Sequence, residues 1–308
     1  MDITNKLKER FCKDCNIPIK IFQEPYFTDR MMLYDTFYNT LSKWDTFISE
    51  LEKYKCEQDY FEEYNRVKDT AIDDIKVTEA YQRFNNEDMN KFAITHKGLP
   101  GKDIFHPSND GRKFISIDMR KANFSALKYY DSDMFYWAKT WEDFLRRYTN
   151  NEHIINSKYI RQVILGNCNS KRHITYEKHL MDLILDEFIL VVFDIDDVVF
   201  FSNDEIIIDI TDKNEFDQID FRLCFLNESL KDITIPFKIE QFTLHRITGT
   251  NGYYKKFDDD TIEFKCLDNY MLPFVIRKVL GQEINECDKV FYHEGLLAKF
   301  IEVPEIVI

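Results

Sequence analysis

Phe188-Ile-Leu-Val-Val-Phe-Asp194-Ile-Asp196-Asp197-Val-Val-Phe-Phe201-Ser-Asn-Asp-Glu205-Ile-Ile-Ile208 sets acidic residues between runs built almost wholly of Val, Ile, Leu and Phe. Two short apolar runs around a tight polar connection predict a buried antiparallel hairpin with Asp194, Asp196 and Asp197 at its tip. Crowded carboxylates repel one another unless a cation sits among them. An all-oxygen donor set suits Mg²⁺, Mn²⁺ or Ca²⁺. The competing reading is an exposed, solvated acidic turn.

Working outward, the 308 residues suffice for a sizeable core, as two domains or as one with appendages. No apolar run approaches the roughly 18 residues of a membrane span, and the start, MDITNKLKERFCKDC, lacks the apolar core of a secretory signal. Seven scattered cysteines point to reduced thiols and an intracellular, cytoplasmic setting. Only eight glycines and seven prolines stand against 27 Phe and 17 Tyr, which describes an ordered globule. The wealth of Ile, Asn, Lys and Phe fits coding in an AT-rich genome, such as several large viruses and phages have.

The net charge of −14 speaks against a nucleic-acid binder if taken whole. Its distribution does not. Residues 96–178 hold 15 Lys and Arg against 9 Asp and Glu, a balance of +6 that leaves −20 for the remainder. A basic stretch inside an acidic chain points to a polyanion-facing surface.

Residues 17–22 read as a short strand. Apolar residues three and four apart predict helices from Asp29 to about Phe92, so residues 1–95 form an acidic helical region. Cys12 and Cys15 have the spacing of half a zinc knuckle, but no second pair lies close, and they read as structural. Gly and Pro punctuation over 95–112 marks a boundary. Residues 113–118 read as a strand ending in a carboxylate, with helices at 122–128, 134–148, 157–165 and 174–188. From Phe221 onward the alternation predicts a mainly β tail, closed by a helix at 272–280.

Asp118 and the cluster Asp194–Asp197 each stand at the end of a strand-like run, and adjacent strand ends can bring such acids onto a shared metal. Two ions held this way activate a 3′-hydroxyl and stabilise a leaving pyrophosphate. The run Ile117-Asp-Met-Arg-Lys-Ala-Asn-Phe-Ser-Ala-Leu127 resembles motif A of reverse transcriptases. Gly166-Asn-Cys-Asn-Ser170 resembles their motif B and Ile195-Asp-Asp-Val-Val-Phe-Phe-Ser202 their motif C, in the right order. Asp194-Ile-Asp196-Asp-Val198 is also similar to the motif C hairpin of family B DNA polymerases. Asp196 is a ligand in both registers, joined by Asp194 or Asp197. The resemblance implies a palm-like domain over 96–235 that binds Mg²⁺ or Mn²⁺ through Asp118, Asp194, Asp196 and Asp197, with Lys238 as general acid.

It further implies that Lys97, Arg112, Lys113, Asn123, Arg161, Ser170 and Lys171 hold a nucleoside triphosphate or the template backbone. Lys158 or Arg161 stands for the triphosphate-gripping cation in the family B register. The departures are Asp194 where many reverse transcriptases have Tyr, Asn123 where an aromatic packs under the sugar, and Lys171 in place of Pro. Tyr253, Tyr254, Lys255 and Lys256 set aromatics beside cations, a pattern that binds bases and backbone together. No P-loop and no Gly-x-Ser-x-Gly elbow is present.

The sequence thus predicts an α+β protein: a helical N-terminal region, a palm-like antiparallel sheet with helices on one face, and a β-rich region over 236–308. The expected function is polymerase-like nucleotidyl transfer onto a nucleic-acid end. The alternative is a catalytically inactive palm descendant binding RNA, a nucleotide or a protein, the last through the acidic region 1–95.

Overall fold

The computed structural model describes residues 2–213, 219–231 and 233–308. The chain opens with α1 (Asn5–Asp14), α2 (Tyr26–Tyr38), α3 (Thr40–Leu51), α4 (Glu57–Val77) and α5 (Glu79–Asn86). Local chemistry starts some of these helices. Thr4 accepts from the amide of Leu7, and Thr78 from that of Tyr81, which satisfies donors that a first turn leaves free. Along α4, Tyr60, Tyr64, Val67, Ala71, Ile72 and Ile75 recur every three or four residues and form one buried stripe. The strand expected at 17–22 is not formed. Ile17, Ile19 and Ile21 alternate inward and are buried, but their backbone joins no ladder.

The middle of the chain runs β1 (Lys113–Met119), α6 (Ala122–Tyr130), α7 (Trp141–Leu145), α8 (Glu152–Asn156), α9 (Lys158–Gly166) and α10 (Ser170–Ile184). The last of these continues as one π-turn over Leu185–Ile189. Then come β2 (Val198–Phe201), β3 (Glu205–Asp209), α11 (Ile219–Lys231), β4 (Phe237–Arg246), β5 (Tyr253–Phe257), β6 (Ile262–Lys265) and α12 (Leu272–Val279). β7 (Val290–His293) and β8 (Leu296–Lys299) pair separately. The six-stranded sheet has the order β2-β3-β1-β4-β5-β6, every neighbour antiparallel. Its first four strands therefore form a split β-α-β arrangement, β-α-β-β-α-β with β1 at the centre. The α+β architecture expected from the sequence is present.

Alternation sorts the sheet's faces. Ile115, Ile117, Met119, Ile206 and Ile208 enter the main core with the helices. Phe114, Ile207, Phe242, Leu244 and Tyr253 face the other way and make a smaller cluster with Ile104 from the loop before β1. The main core runs from Leu7 to Ile276, so the stretches 1–95, 96–235 and 236–308 share it.

Four further expectations differ from the structure. The hairpin forms one connection later than predicted, between β2 and β3, with Ser202-Asn203-Asp204 as its turn. The run 188–193 belongs to the end of the α10 rod, where Ile189 and Phe193 are buried as a continuation of its apolar face. Phe221-Arg-Leu-Cys-Phe-Leu226 is helical, in α11, because its inward residues Leu226 and Leu230 are four apart. Of the helix expected over 134–148, only Trp141–Leu145 is α-helical, preceded by a 3₁₀ turn at Ser132–Phe135. No helix among the described residues is long and apolar enough to cross a membrane.

Candidate functional site

Asp118 is the penultimate residue of β1, on the face away from the helical core. The ladder sets it opposite Glu205 of β3 on one side and Lys238 of β4 on the other. The hairpin turn places Asp204 beside this pair, so three carboxylates gather at one end of the sheet. Burial pushes the Asp118 carboxyl up to about 6, and the neighbouring charges of Glu205 and Asp204 push it the same way against Lys255 and Lys238. A group raised in this way favours a cation close by.

Glu205 is already engaged. Ser116 Oγ donates to its Oε1 at 2.5 Å, and Lys255 Nζ stands 3.5 Å from the same atom. Lys255 is only 5% exposed and lies 4.4 Å over the Phe242 ring, so its charge is spent inside the second face. Lys238 Nζ meets Glu240 Oε1 at 2.6 Å, on the same side of β4.

Beyond Asp118 the chain turns sharply. Lys121 takes left-handed backbone angles (φ 51°) and starts α6, holding Glu142 with its Nζ at 2.5 and 2.6 Å. A cavity of about 430 Å³ opens here, lined by Asp118, Asn123, Arg161, Ser170, Glu177 and Asp204, with Lys121, Lys158 and His173 also in its wall. Its size is that of a small-molecule site. Desolvation lowers the pKa of the Arg161 guanidinium, and its Nε has no hydrogen-bond partner. Glu177 accepts from Asn203 Nδ2 at 2.8 Å, which ties α10 to the hairpin turn, and burial pushes its carboxyl up to about 7.

The structure thus brings Asp118, Asn123, Arg161 and Ser170 to one cavity, with Lys238 across the ladder from Asp118. It does not bring Asp194, Asp196 and Asp197 there. Val198 is level with Ile208 and thus with Ile115, so Asp196 lies roughly 15 Å back along the strand direction, at the other end of the sheet. There the Asp194 amide donates to Asp197 Oδ2 at 3.2 Å, Lys213 Nζ pairs with Asp197 at 2.9 Å, and Asp196 is exposed. Arg112 and Lys113 sit at that same far end, where Arg112 pairs with Asp209.

Lys97 is exposed in the loop before β1, and Lys171 is exposed on α10 outside the cavity wall. The stretch Tyr253–Lys256 is split by alternation. Tyr253 and Lys255 point into the second face, whereas Tyr254 stacks on His245 at 4.9 Å and Lys256 pairs with Asp260 at 3.0 Å. Cys12 and Cys15 are free thiols whose pKa burial pushes up.

Sequence reasoning missed Asp204, Glu205, Glu177 and His173. The signal for the first two was present, since Ser, Asn and Asp are turn formers and Ile195 in the other acidic stretch is not.

An oxygen-only donor set at Asp118 and Asp204 fits a hard divalent ion. The oxygens of Asp118, Asp204 and Glu205 do not converge within 4.8 Å. Among the described residues the trio that does is His96, Asp182 and Asp186. That trio is a clasp for the loop before β1. Asp182 takes the amides of Thr95 and His96 at 2.6 and 3.0 Å, and the His96 ring lies between the two carboxylates at 3.1 and 3.3 Å. Comparison of the chain with known protein families, with curated proteins and with solved structures finds no match.

Proposed function

We propose that this chain is a divalent-metal-dependent nucleotidyltransferase of polymerase palm type, acting on a nucleoside triphosphate and a nucleic-acid end. One observation carries the reading: Asp118 at the end of a central strand faces an acidic hairpin turn across the ladder, beside a cavity with cations in its wall. Relative to the sequence expectation, Asp204 takes the place given to Asp196. Asp118 and Asp204 hold Mg²⁺ or Mn²⁺, which when bound neutralises phosphate charge and acidifies an attacking hydroxyl. Lys158 and Arg161 offset the charge of the triphosphate from α9, and Asn123 and Ser170 offer neutral hydrogen-bonding groups across the same cavity. Lys238, one strand over from Asp118, donates the proton to the departing pyrophosphate. The seven free thiols fit a reducing, intracellular setting.

The test is extension of a labelled primer in Mg²⁺ or Mn²⁺. Asp118→Ala and Asp204→Ala should each lower the rate by at least about a hundredfold, and Asp196→Ala should leave it within about twofold. Activity lost with Asp196→Ala but kept with Asp204→Ala would sink this assignment.

A second reading has its own observation. Glu205 is held by Ser116 and Lys255 instead of turning toward Asp118 and Asp204, an arrangement that suits a palm descendant which binds RNA, a nucleotide or a protein without chemistry. It predicts retention of RNA or nucleotide that survives chelator and Asp204→Ala alike.

A further inference from the structure

His96 stands between two carboxylates of one helical rod. Asp182 of α10 and Asp186 of its π-turn are four residues apart, and one donor atom from each of the three residues lies within 4.8 Å of the other two. The two acids are not equivalent. Asp182 is buried and already meets three partners: the Thr95 amide at 2.6 Å, the His96 amide at 3.0 Å and His96 Nδ1 at 3.1 Å. A carboxylate that takes two main-chain amides acts as an acceptor, so Nδ1 carries the ring hydrogen. In the neutral ring Nε2 then presents its lone pair.

Asp186 faces that lone pair. Its Oδ1 is 3.3 Å from Nε2, and among the described residues no hydrogen bond reaches Nε2. Two electron-rich atoms held this close with no hydrogen aligned between them call for a shared cation. Their separation says which one. Ligand atoms on a tetrahedral Zn²⁺ ion lie about 3.3–3.5 Å apart, whereas on an octahedral ion of Mg²⁺ size they lie about 3.0 Å apart. A nitrogen donor beside an oxygen also suits Zn²⁺ better than Mg²⁺. The grip of Asp182 on Nδ1 completes the pattern, since a metal-bound imidazole commonly gives its second nitrogen to a carboxylate. The side chains of His96 and Asp186 are 19% and 42% exposed, so an ion can enter from solvent.

We propose that His96 Nε2 and Asp186 Oδ1 bind a tetrahedral Zn²⁺ ion, with Asp182 as the positioning residue and water in the remaining coordination positions. The ion fastens the loop before β1 to the end of α10. That loop also reaches the sheet, where the Pro100 carbonyl accepts from the Phe201 amide of edge strand β2 at 2.8 Å. None of the three residues lines the cavity beside Asp118, so the ion has a site of its own, whatever chemistry that cavity performs.

The experiment strips the full chain with chelator, then titrates it with Zn²⁺ by calorimetry and with Co²⁺ by visible absorption. Millimolar Mg²⁺ in the buffer keeps hard-ion positions at Asp118 and Asp204 filled. One Zn²⁺ per chain should bind, and Co²⁺ should give the strong visible bands of a four-coordinate ion. Asp186→Asn removes the anionic ligand. His96→Asn keeps a donor for Asp182 at the Nδ1 position and removes Nε2. Each should weaken Zn²⁺ binding at least about tenfold, and Asp118→Ala should leave it unchanged. Melting curves without metal check that the variants fold, and added Zn²⁺ should raise the melting temperature of the wild type alone.

Absence of stoichiometric binding overturns the inference, and so does Zn²⁺ affinity within about twofold of wild type in both variants. A six-coordinate Co²⁺ spectrum overturns the tetrahedral assignment. A thiolate band in the near ultraviolet places the ion on a cysteine and overturns the site. All of these leave the nucleotidyltransferase reading untouched, because that reading is tested by primer extension.

Discussion

Glu177 shows how a single buried carboxylate sets the pH response of the region around it. Its folded pKa, about 7, lies above its ordinary value of 4.5, chiefly through burial and partly through Asp204. The folded chain therefore binds this proton more tightly than the unfolded chain. The stability it contributes is complete below about pH 4.5 and is lost as pH rises toward 7. Glu177→Gln keeps an acceptor for Asn203 Nδ2 and removes the charge. Urea unfolding should find it about 1–3 kcal/mol more stable than wild type at pH 8 and equal to it at pH 4. No gain at pH 8 would mean that Glu177 is ionised at little cost in the folded state. Asp118 responds in the same direction over a lower range, to about 6, and shares its surroundings with Lys238 and Lys255.

At the scale of elements, α11 is the clearest departure from sequence expectation. If Phe221–Leu226 were a strand, alternate residues would turn inward. As a helix it buries Leu226 and Leu230, and leaves Phe221 and Phe225 exposed at 68% and 44%. Leu226→Ala should accordingly cost about 2–4 kcal/mol, and Phe225→Ala under about 1 kcal/mol, by thermal or urea unfolding. Equal costs would contradict the helix.

The elements that sequence alone did reveal share a property: their period or their polar ends were unambiguous. β1 alternates and carries Asp118 one residue from its end, β4 alternates through Lys238, and α9 and α10 carry apolar stripes with Arg161 and Ser170 off the core side. The hairpin was misplaced by one connection for the opposite reason. Residues 188–193 are apolar throughout, and such a run fits a buried strand or a buried helix end equally well. A strand over that run makes Asp194–Asp197 the turn, whereas the helix end found there moves the turn to Ser202–Asp204. Glu177 and His173 were unreadable in sequence because only the packing of α10 brings them into the cavity wall.

For the whole molecule, the governing fact is one shared core. Leu7, Phe11, Val67 and Phe84 of the N-terminal helices are buried in the same cluster as Ile117 of β1, Ile164 of α9 and Ile276 of α12. Charge links the chain's far ends as well. Arg30 of α2 reaches Asp288 at 3.0 Å, and Arg277 of α12 reaches the same carboxylate at 3.0 Å and Asp29 at 3.4 Å. A fragment of residues 96–308 would expose the apolar faces that α1 and α4 cover on α9, and it should show no cooperative melting by circular dichroism. The full chain should melt in one transition. An independently folded fragment would show that the acidic helices are an accessory and not part of the fold.

On the proposed nucleotidyltransferase reading, the bond from Asn203 to Glu177 would couple cargo to cation. It fastens the chamber's wall to the very turn that carries Asp204, so a molecule that shifts α10 on entering would also shift an acid proposed to hold the ion. Thermodynamic reciprocity then requires the ion to sharpen or blunt the grip on the cargo by the same factor. Cutting that one link, with Asn203→Ala, leaves two neighbouring sites that fill with less regard for each other.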